Sequence, residues 1–594
     1  ARNTITSPDW AATVTWSNLP VNAPKENAGD AVVLYQYRVG EEAVNGYTTT
    51  YTPSGTGASG VITGDTAQVT NTLELISVSG TKTWNDQSNR YRTRESAASF
   101  KQRLVLSSVP DIGLGAVGSP YVFEWLNAGG SVITDAQVDA SNSNTWRYRF
   151  RNLPKYKVDG GNSVQIVYTV TETPPPDYII TTPAAGNSTK GSVGSNLNVT
   201  NANFTNALAT VSIPVQKTWT GDGHFKDFAR PDNLTVKLYT VKDGVETEVT
   251  NYPYTAPAPG WVKGSGDVWT LTLTGLPRYE KGTTTPVVYR VKETPVNGYT
   301  PDVTGADRTA GDPIATVGFA NDLNTIDIQG TKYWTDQRNK YLTRPANLTL
   351  TVKYKVEGSA GTWLTLSPQP KGGPEAGGQA GVYWLDQDGD SWEYKFVGLP
   401  THNKAGQKLV YAVEETVPDG YTGSSPNPNP GSADPETGNV TDADFTNTLE
   451  VISLGGNKTW TDENNKYGTR PSAAEFRAKL MLGSAPAVTP GTGTHEFVWL
   501  SADGTAVLTD TDVDELTGNV WRYEFRKLPR YKVVNGAKQT VVYTVTEAAV
   551  DGYTASGDNP NVGTVNAASG NVTGADFTNT LEEISVGGTK TWTD

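Results

Sequence analysis

Cysteine is absent from the 594 residues, Met481 is the single methionine, and histidine occurs three times. Without thiols the chain can form no disulfide, thiolate metal site or cysteine nucleophile, so any covalent staple has to use other atoms. His224, His402 and His495 stand far apart without a ligand-like neighbour pattern, which gives no support to a metal site or a Ser-His-Asp triad. Positive charge is also short: 48 Lys and Arg face 62 Asp and Glu, a net charge of -14. Nucleic acid and anionic membranes both need basic patches, so neither is expected as a partner, and a solvated acidic surface accounts for the excess. No membrane-length apolar run, signal peptide or sorting motif is visible, and the sequence reads as an excerpt from a longer protein.

What is present is glycine (61), proline (36), tyrosine (28) and tryptophan (16), with abundant Thr and Val. No long segment has a helical apolar period, so the class is all-β, built from short strands and turns. The length is well beyond the roughly 250 to 300 residues at which single cores stop growing, so several domains are expected. Internal repetition supplies them. Three phrases cycle in fixed order. K-x-W occurs at Lys82, Lys217, Lys332, Lys458 and Lys590. An L-P phrase followed by Y-x-V-x-E, usually with x-G-Y-T, ends in Glu41, Glu172, Glu293, Glu415 and Glu547. F-T-N or a near variant places Asn71, Asn206, Asn321, Asn447 and Asn579.

Four complete units follow, at 76–209, 210–324, 325–450 and 451–581, flanked by a partial unit over 1–75 and the first strand of a further one over 582–594. Units of this size are whole domains with their own cores. From each Asn to the next Lys the separation is always 11 residues, as in 217 minus 206, which leaves no room for a flexible linker. The units are expected to stack end to end as a stiff rod. S-A-A-E-F-R-A-K-L-M-L, from Ser472, has helix-forming residues, yet its counterparts at Asn233 and Asn347 alternate strictly, and the expectation is a strand in all four units.

Alternation decides where the polar residues of these phrases point, because residues two apart on a strand share a face. Val211, Ile213, Val215, Lys217 and Trp219 form one apolar stripe with a lysine in it. The same parity puts Tyr543, Val545 and Glu547 together, selects Glu415 over Glu414, and groups Phe577, Asn579 and Leu581. Each unit thus aims one Lys, one Glu and one Asn at its core. Burial costs several kcal/mol per unpaired charge, so the three must satisfy one another. One solution is a buried ion pair with the amide as hydrogen-bond partner. The other is chemical: in an apolar site the lysine pKa falls and the glutamate pKa rises, leaving a neutral amine beside a neutral acid. Such an amine can attack the asparagine side-chain carbon while the acid polarises its oxygen and relays protons to departing ammonia. The product is a Lys-Asn isopeptide bond.

K-T-W, F-R-[NK]-L-P-[KR]-Y, Y-T-V-T-E, D-G-Y-T and F-T-N-T-L, in this order and recurring over essentially the whole chain, resemble the Cna protein B-type (CnaB) domains of Gram-positive surface adhesins and pilins. The resemblance implies tandem prealbumin-like or inverse immunoglobulin-like β-sandwiches in which a first-strand Lys is bonded to a last-strand Asn with help from an acidic residue. Carried over, this pairs Lys82 with Asn206 and Glu172, Lys217 with Asn321 and Glu293, Lys332 with Asn447 and Glu415, and Lys458 with Asn579 and Glu547. Unit two departs with F-A-N and unit three with K-Y-W, and neither change removes a reacting group. Glu41 and Asn71 lack a lysine upstream, and Lys590 lacks both partners downstream, so these three should stay unbonded. The function implied is a protease-resistant, inextensible stalk at a bacterial surface, held in the cell wall by a segment outside this chain. It needs no cofactor, contacts adjacent repeats, leaves ligand binding to a tip beyond the chain, and is no enzyme toward external substrates.

The rival function is direct adhesion, with loops such as Ser367 to Gly381 or Pro110 to Ser119 binding a host protein or glycan. Trp84, Trp219, Trp334, Trp460 and Trp592 alternate with the lysines, which favours core packing over a carbohydrate platform. D-T-D-V-D-E from Asp510 and D-Q-D-G-D from Asp386 raise calcium but lack the spacing of an EF-hand loop, and hairpin turns are expected there. The sequons at Asn187, Asn233 and Asn347 read as chance occurrences.

Overall fold

The computed structural model describes residues 13–52, 60–61, 67–114, 121–159, 162–184, 186–252, 260–302, 306–309, 314–346, 348–370 and 382–593. Most of the insert from Ser367 and half of that from Pro110 lie outside these residues, as does Asn347.

Along Leu75–Asn85 the alternation buries Ile76, Val78, Lys82 and Trp84 on one face. This opening strand runs antiparallel to Thr145–Pro154 on one side and parallel to the closing strand Phe204–Leu208 on the other. The arrangement recurs three times. Thr210–Thr220 lies between Val268–Pro277 and Val317–Leu323, Thr325–Thr335 between Ser391–Pro400 and Phe445–Leu449, and Val451–Thr461 between Val520–Pro529 and Phe577–Leu581. A second, smaller sheet faces the first in each unit. It pairs Leu104–Val109 with Val167–Glu172, Val236–Lys242 with Val288–Glu293, Leu350–Val356 with Leu409–Glu415, and Leu480–Ala485 with Val542–Glu547. The inward residues of both sheets share one core, as in a β-sandwich. The chain is therefore all-β and tandem.

Inside that core one volume is exchanged between units. Gly80, Gly330 and Gly456 stand two residues before the lysine, and a Cβ there would lie 1.9, 2.4 and 2.1 Å from the carbonyl oxygens of Ala202, Ala443 and Ala575. Those same carbonyls accept hydrogen bonds from the buried hydroxyls of Tyr148, Tyr394 and Tyr523. Unit two has Val215 in place of the glycine and Leu271 in place of the tyrosine. Neither side chain has a polar atom to satisfy.

One residue separates each closing strand from the next opening strand: Ala209, Asn324 and Glu450. Its backbone is held from both sides. Ala209 donates to Asp177 O at 3.0 Å and accepts from Arg278 N at 2.8 Å. Asn324 does the same with Gly298 and Thr401, and Glu450 with Gly420 and Arg530. The x-G-Y-T phrase of one unit, or the D-Y-I that replaces it in unit one, thus meets the L-P phrase of the next at the connector. Side chains reinforce the joints: Gln87 Nε2 donates to Gly275 O, Gln337 Nε2 donates to Lys527 O, and Tyr341 stacks on His495. His224 and His402 also sit at the contact between units two and three, against Gln369 and Gly298.

Three expectations are corrected. S-A-A-[SE]-F is helical: Ala97–Phe100 and Ala473–Arg477 form short helices capped by Ser96 and Ser472, and the strands begin only at Leu104 and Leu480. Ser472 and Glu475 make a reciprocal capping box, and this local signal prevails over the alternation seen in units two and three. Asp510–Asp514 is likewise a capped helix and no hairpin turn, whereas Asp386 to Asp390 does turn between antiparallel strands. Finally, 582–593 forms no strand, and Ile584, Val586 and Trp592 are exposed, because no neighbouring strand among the described residues covers them.

Candidate functional site

The lysine and asparagine of each unit stand on neighbouring parallel strands of one sheet, and the glutamate reaches them from the facing sheet. In register Lys82 is opposite Phe204 and Trp84 opposite Asn206, so the two polar residues are offset by two positions on the same inward face. The offset is the same for Lys217 and Asn321, Lys332 and Asn447, and Lys458 and Asn579. All four lysines are fully buried.

The contacts repeat with small variations. Lys82 Nζ lies 2.8 Å from Glu172 Oε1, Lys217 Nζ 3.0 Å from Glu293, Lys332 Nζ 3.3 Å from Glu415, and Lys458 Nζ 3.0 Å from Glu547. On the other side the carboxamides of Asn206, Asn321, Asn447 and Asn579 donate Nδ2–H to the same glutamates, at 2.5, 3.2, 2.8 and 2.6 Å. Each glutamate therefore bridges amine and amide. The amide oxygens Oδ1 of all four asparagines are buried without a partner among the described residues. A carbonyl oxygen stripped of water and of donors costs free energy, and its recurrence in four units marks the amide as the unsettled member of the triad.

Burial pushes the amines of Lys82, Lys332 and Lys458 down to about 8 against the opposing pull of their glutamates, and lowers Lys217 in the same sense. Burial likewise raises Glu293 and Glu415. Both shifts favour the state in which amine and acid are neutral. A tryptophan face adds to the apolar wall: Nζ is 4.6, 4.8, 4.7 and 4.6 Å from the rings of Trp84, Trp219, Trp334 and Trp460. Glu414 points away and pairs with Lys353.

The partial units differ. Asn71 Nδ2 donates to both oxygens of Glu41 at 2.9 Å, at an exposed position with no lysine between them. Lys590 is exposed and lies 3.7 Å from the ring of Trp592.

A second buried cluster was missed in the sequence. Asp86, Asp222, Asp336 and Asp462 follow K-x-W closely and hold Arg94, Arg230, Arg344 and Arg470 in two-pronged pairs of 2.5 to 2.7 Å. Tyr299, Tyr421 and Tyr553, from the G-Y-T phrase, and Tyr178, from the D-Y-I that replaces it in unit one, donate to the same carboxylates at 2.9 to 3.1 Å. The signal was available: an Asp two or three residues after the tryptophan and an Arg eight residues later, in every complete unit.

Comparison with known proteins is consistent across the chain. The family profile described as Cna protein B-type domain matches residues 125–202, 213–314, 376–441 and 493–573. A collagen adhesin of Staphylococcus aureus is 27% identical over 593 residues, covering 99% of this chain and 37% of that protein, so the chain spans little more than a third of its relative. Among solved structures, two B repeat units of the collagen binding protein of Staphylococcus aureus align at 22% identity and TM-score 0.20, over 86% of this chain and all of that one. A shaft pilin of Lactobacillus rhamnosus GG aligns at 18% identity and TM-score 0.19, over 41% of this chain and 98% of that one.

Proposed function

Since the chain belongs to the family of Cna protein B-type domains, we propose that it is the stalk region of a bacterial cell-surface adhesin or fibre, and that each complete unit joins its first strand to its last by a self-made Lys-Asn isopeptide bond. The observation that carries this reading is the fourfold recurrence of a buried amine and a buried amide bridged by one carboxyl group.

The reaction needs no cofactor. The proton of the lysine ammonium passes to the glutamate, and the neutral Nζ attacks Cγ of the asparagine. A half-turn of the carboxamide presents Oδ1 to the protonated glutamate, which polarises it. The Cγ–Nδ2 bond then breaks as the glutamate relays the proton lost by Nζ to the leaving nitrogen, and the ammonia departs carrying the proton first taken from the lysine ammonium, which restores the carboxylate. The glutamate is regenerated but turns over once only, so the chain is no enzyme toward external substrates.

The consequence is mechanical. The closing strand of one unit passes through a single residue into the opening strand of the next. With those two strands bonded in every unit, tension crosses the isopeptides and bypasses the segment between them. Without the bond, the 124 residues from Lys82 to Asn206 would pull out to roughly 400 Å. A cross-link closing a loop of that length also stabilises the unit by about 4 to 5 kcal/mol on the chain-entropy argument.

Intact mass of the denatured chain tests the reading: the expected result is a deficit of four molecules of ammonia, and a full mass would sink it. Direct adhesion is the second reading, supported by the name of the collagen adhesin relative. Saturable binding of this chain to immobilised collagen would favour it.

A further inference from the structure

The K-x-W tryptophan walls the lysine amine in every complete unit, yet no hydrogen bond among the described residues orients it. Nε1–H of Trp84, Trp219, Trp334 and Trp460 is buried without a hydrogen-bond partner among the described residues. The indole plane is therefore set by what packs on it. In units one and four Phe100 and Phe476 add a second aromatic face near the amine, whereas in units two and three the tryptophan alone supplies that contact among the described residues.

The contacts that all four tryptophans share come from the buried Asp-Arg-Tyr cluster and from one neighbouring tryptophan. The tyrosine ring meets the indole edge-on with centroids 4.9 to 5.2 Å apart, and the arginine guanidinium lies 5.3 to 5.9 Å from the indole centroid. The cluster also spans the sheet. Its aspartate follows the opening strand, while its tyrosine stands on the strand that flanks the closing strand from the far side, as Tyr421 opposite Leu449. The hydrogen bond from Tyr421 to Asp336 thus bridges the strand that carries Asn447, and Arg344 adds the hairpin residue Asp390 to the clasp.

We propose that this Asp-Arg-Tyr clasp is a positioning device for the amine-amide reaction: it fixes the indole against the lysine and fixes the offset between the two reacting strands. The inference rests on the isopeptide reading above. The clasp residues touch neither reacting atom, so their effect runs through Trp334 and through strand placement. The charged groups around Lys332 are Glu415, Asp336 and Arg344, and of these only Arg344 opposes protonation of the amine.

The test uses the whole chain, isolated unfolded in urea and refolded by dilution, with each Lys-Asn cross-link followed by peptide mass. Units one, two and four serve as internal controls for unit three. In Tyr421→Phe, the conservative variant, unit three is expected to refold to a protease-resistant state while its cross-link forms on the order of tenfold more slowly than in the unaltered chain. In Arg344→Met the alkaline limb of its pH-rate profile should move to higher pH, and Arg344→Lys should bring it back. A cross-linking rate in refolded Tyr421→Phe equal to that of the unaltered chain, or a loss that only tracks the unfolded fraction, assigns the clasp to folding alone and overturns the proposal. Absence of all four cross-links in the unaltered chain overturns the isopeptide reading, and the proposal with it.

Discussion

At the scale of single residues, the triad depends on one proton shared between an amine and an acid. The reactive state, neutral lysine with neutral glutamate, has the same net protonation as the ion pair, so both persist between the two apparent pKa values of the pair. Bond formation in unit three should accordingly hold a plateau near neutral pH and fall as pH rises through about 8, where the shared proton leaves Lys332. A rate still climbing at pH 9.5 in refolding assays would contradict the role given to Glu415. A second consequence belongs to the unbonded protein. In Asn447→Ala, Lys332 keeps its depressed pKa of about 8 against the ordinary 10.5, so between these values the unfolded chain binds a proton that the folded unit does not. Stability in urea should therefore rise with pH across that window, the reverse of the usual alkaline loss. Changing Glu293 to Ala should leave one ammonia unreleased in the intact mass, and an unchanged deficit would remove that glutamate from the mechanism.

At the scale of elements, close approach governs what the opening strand tolerates. Gly456 faces the carbonyl of Ala575 so nearly that a methyl group has no space, and Tyr523 already occupies that carbonyl. Gly456→Ala should destabilise unit four by roughly 1 to 3 kcal/mol through displaced backbone, with the melting of units one to three unchanged in calorimetry. The short helices before Leu104 and Leu480 show how far local signals reach. Ser472 and Glu475 cap one another within four residues, and the helix then delivers Phe476 onto Trp460 at 5.3 Å. From the arginine to the facing strand there are ten residues in units one and four, Arg94 to Leu104 and Arg470 to Leu480, but six in units two and three, Arg230 to Val236 and Arg344 to Leu350; the helix occupies the extra turn, and all four strands keep the same register opposite the glutamate.

At the scale of the whole molecule, the connectors are single residues held by backbone hydrogen bonds to both neighbours. The joint between units one and two is the odd one. Asp177 stands where Gly298 and Gly420 stand at the later joints, and its carboxylate is buried against the Gly282 backbone of the next unit with no side-chain partner among the described residues. Burial raises its pKa, so the folded joint holds a proton that the opened joint releases, and the joint gains stability as pH falls through that raised value. Asp177→Asn should tighten this joint at neutral pH, seen as slower amide exchange at Ala209 and Arg278. Insertion of three glycines after Glu450 should have the opposite effect at the third joint, broadening the end-to-end distances measured by paired spin labels. If the distances stay unchanged, the connector hydrogen bonds are not what stiffens the array.

Much of this protein follows from the sequence alone, because its strands are short, its period is regular and side chains on a strand can only alternate. Parity places Lys82, Trp84 and Asn206 on inward faces, and the 11-residue spacing requires a connector too short to flex. Tertiary structure decided what parity cannot express. It brought the glutamates across from the facing sheet, left the amide oxygens without donors, and closed an aspartate, an arginine and a tyrosine around the tryptophan from three separate phrases. It also left 582–593 without strand pairing, since alternation prepares a strand but only a neighbouring strand's hydrogen bonds make one.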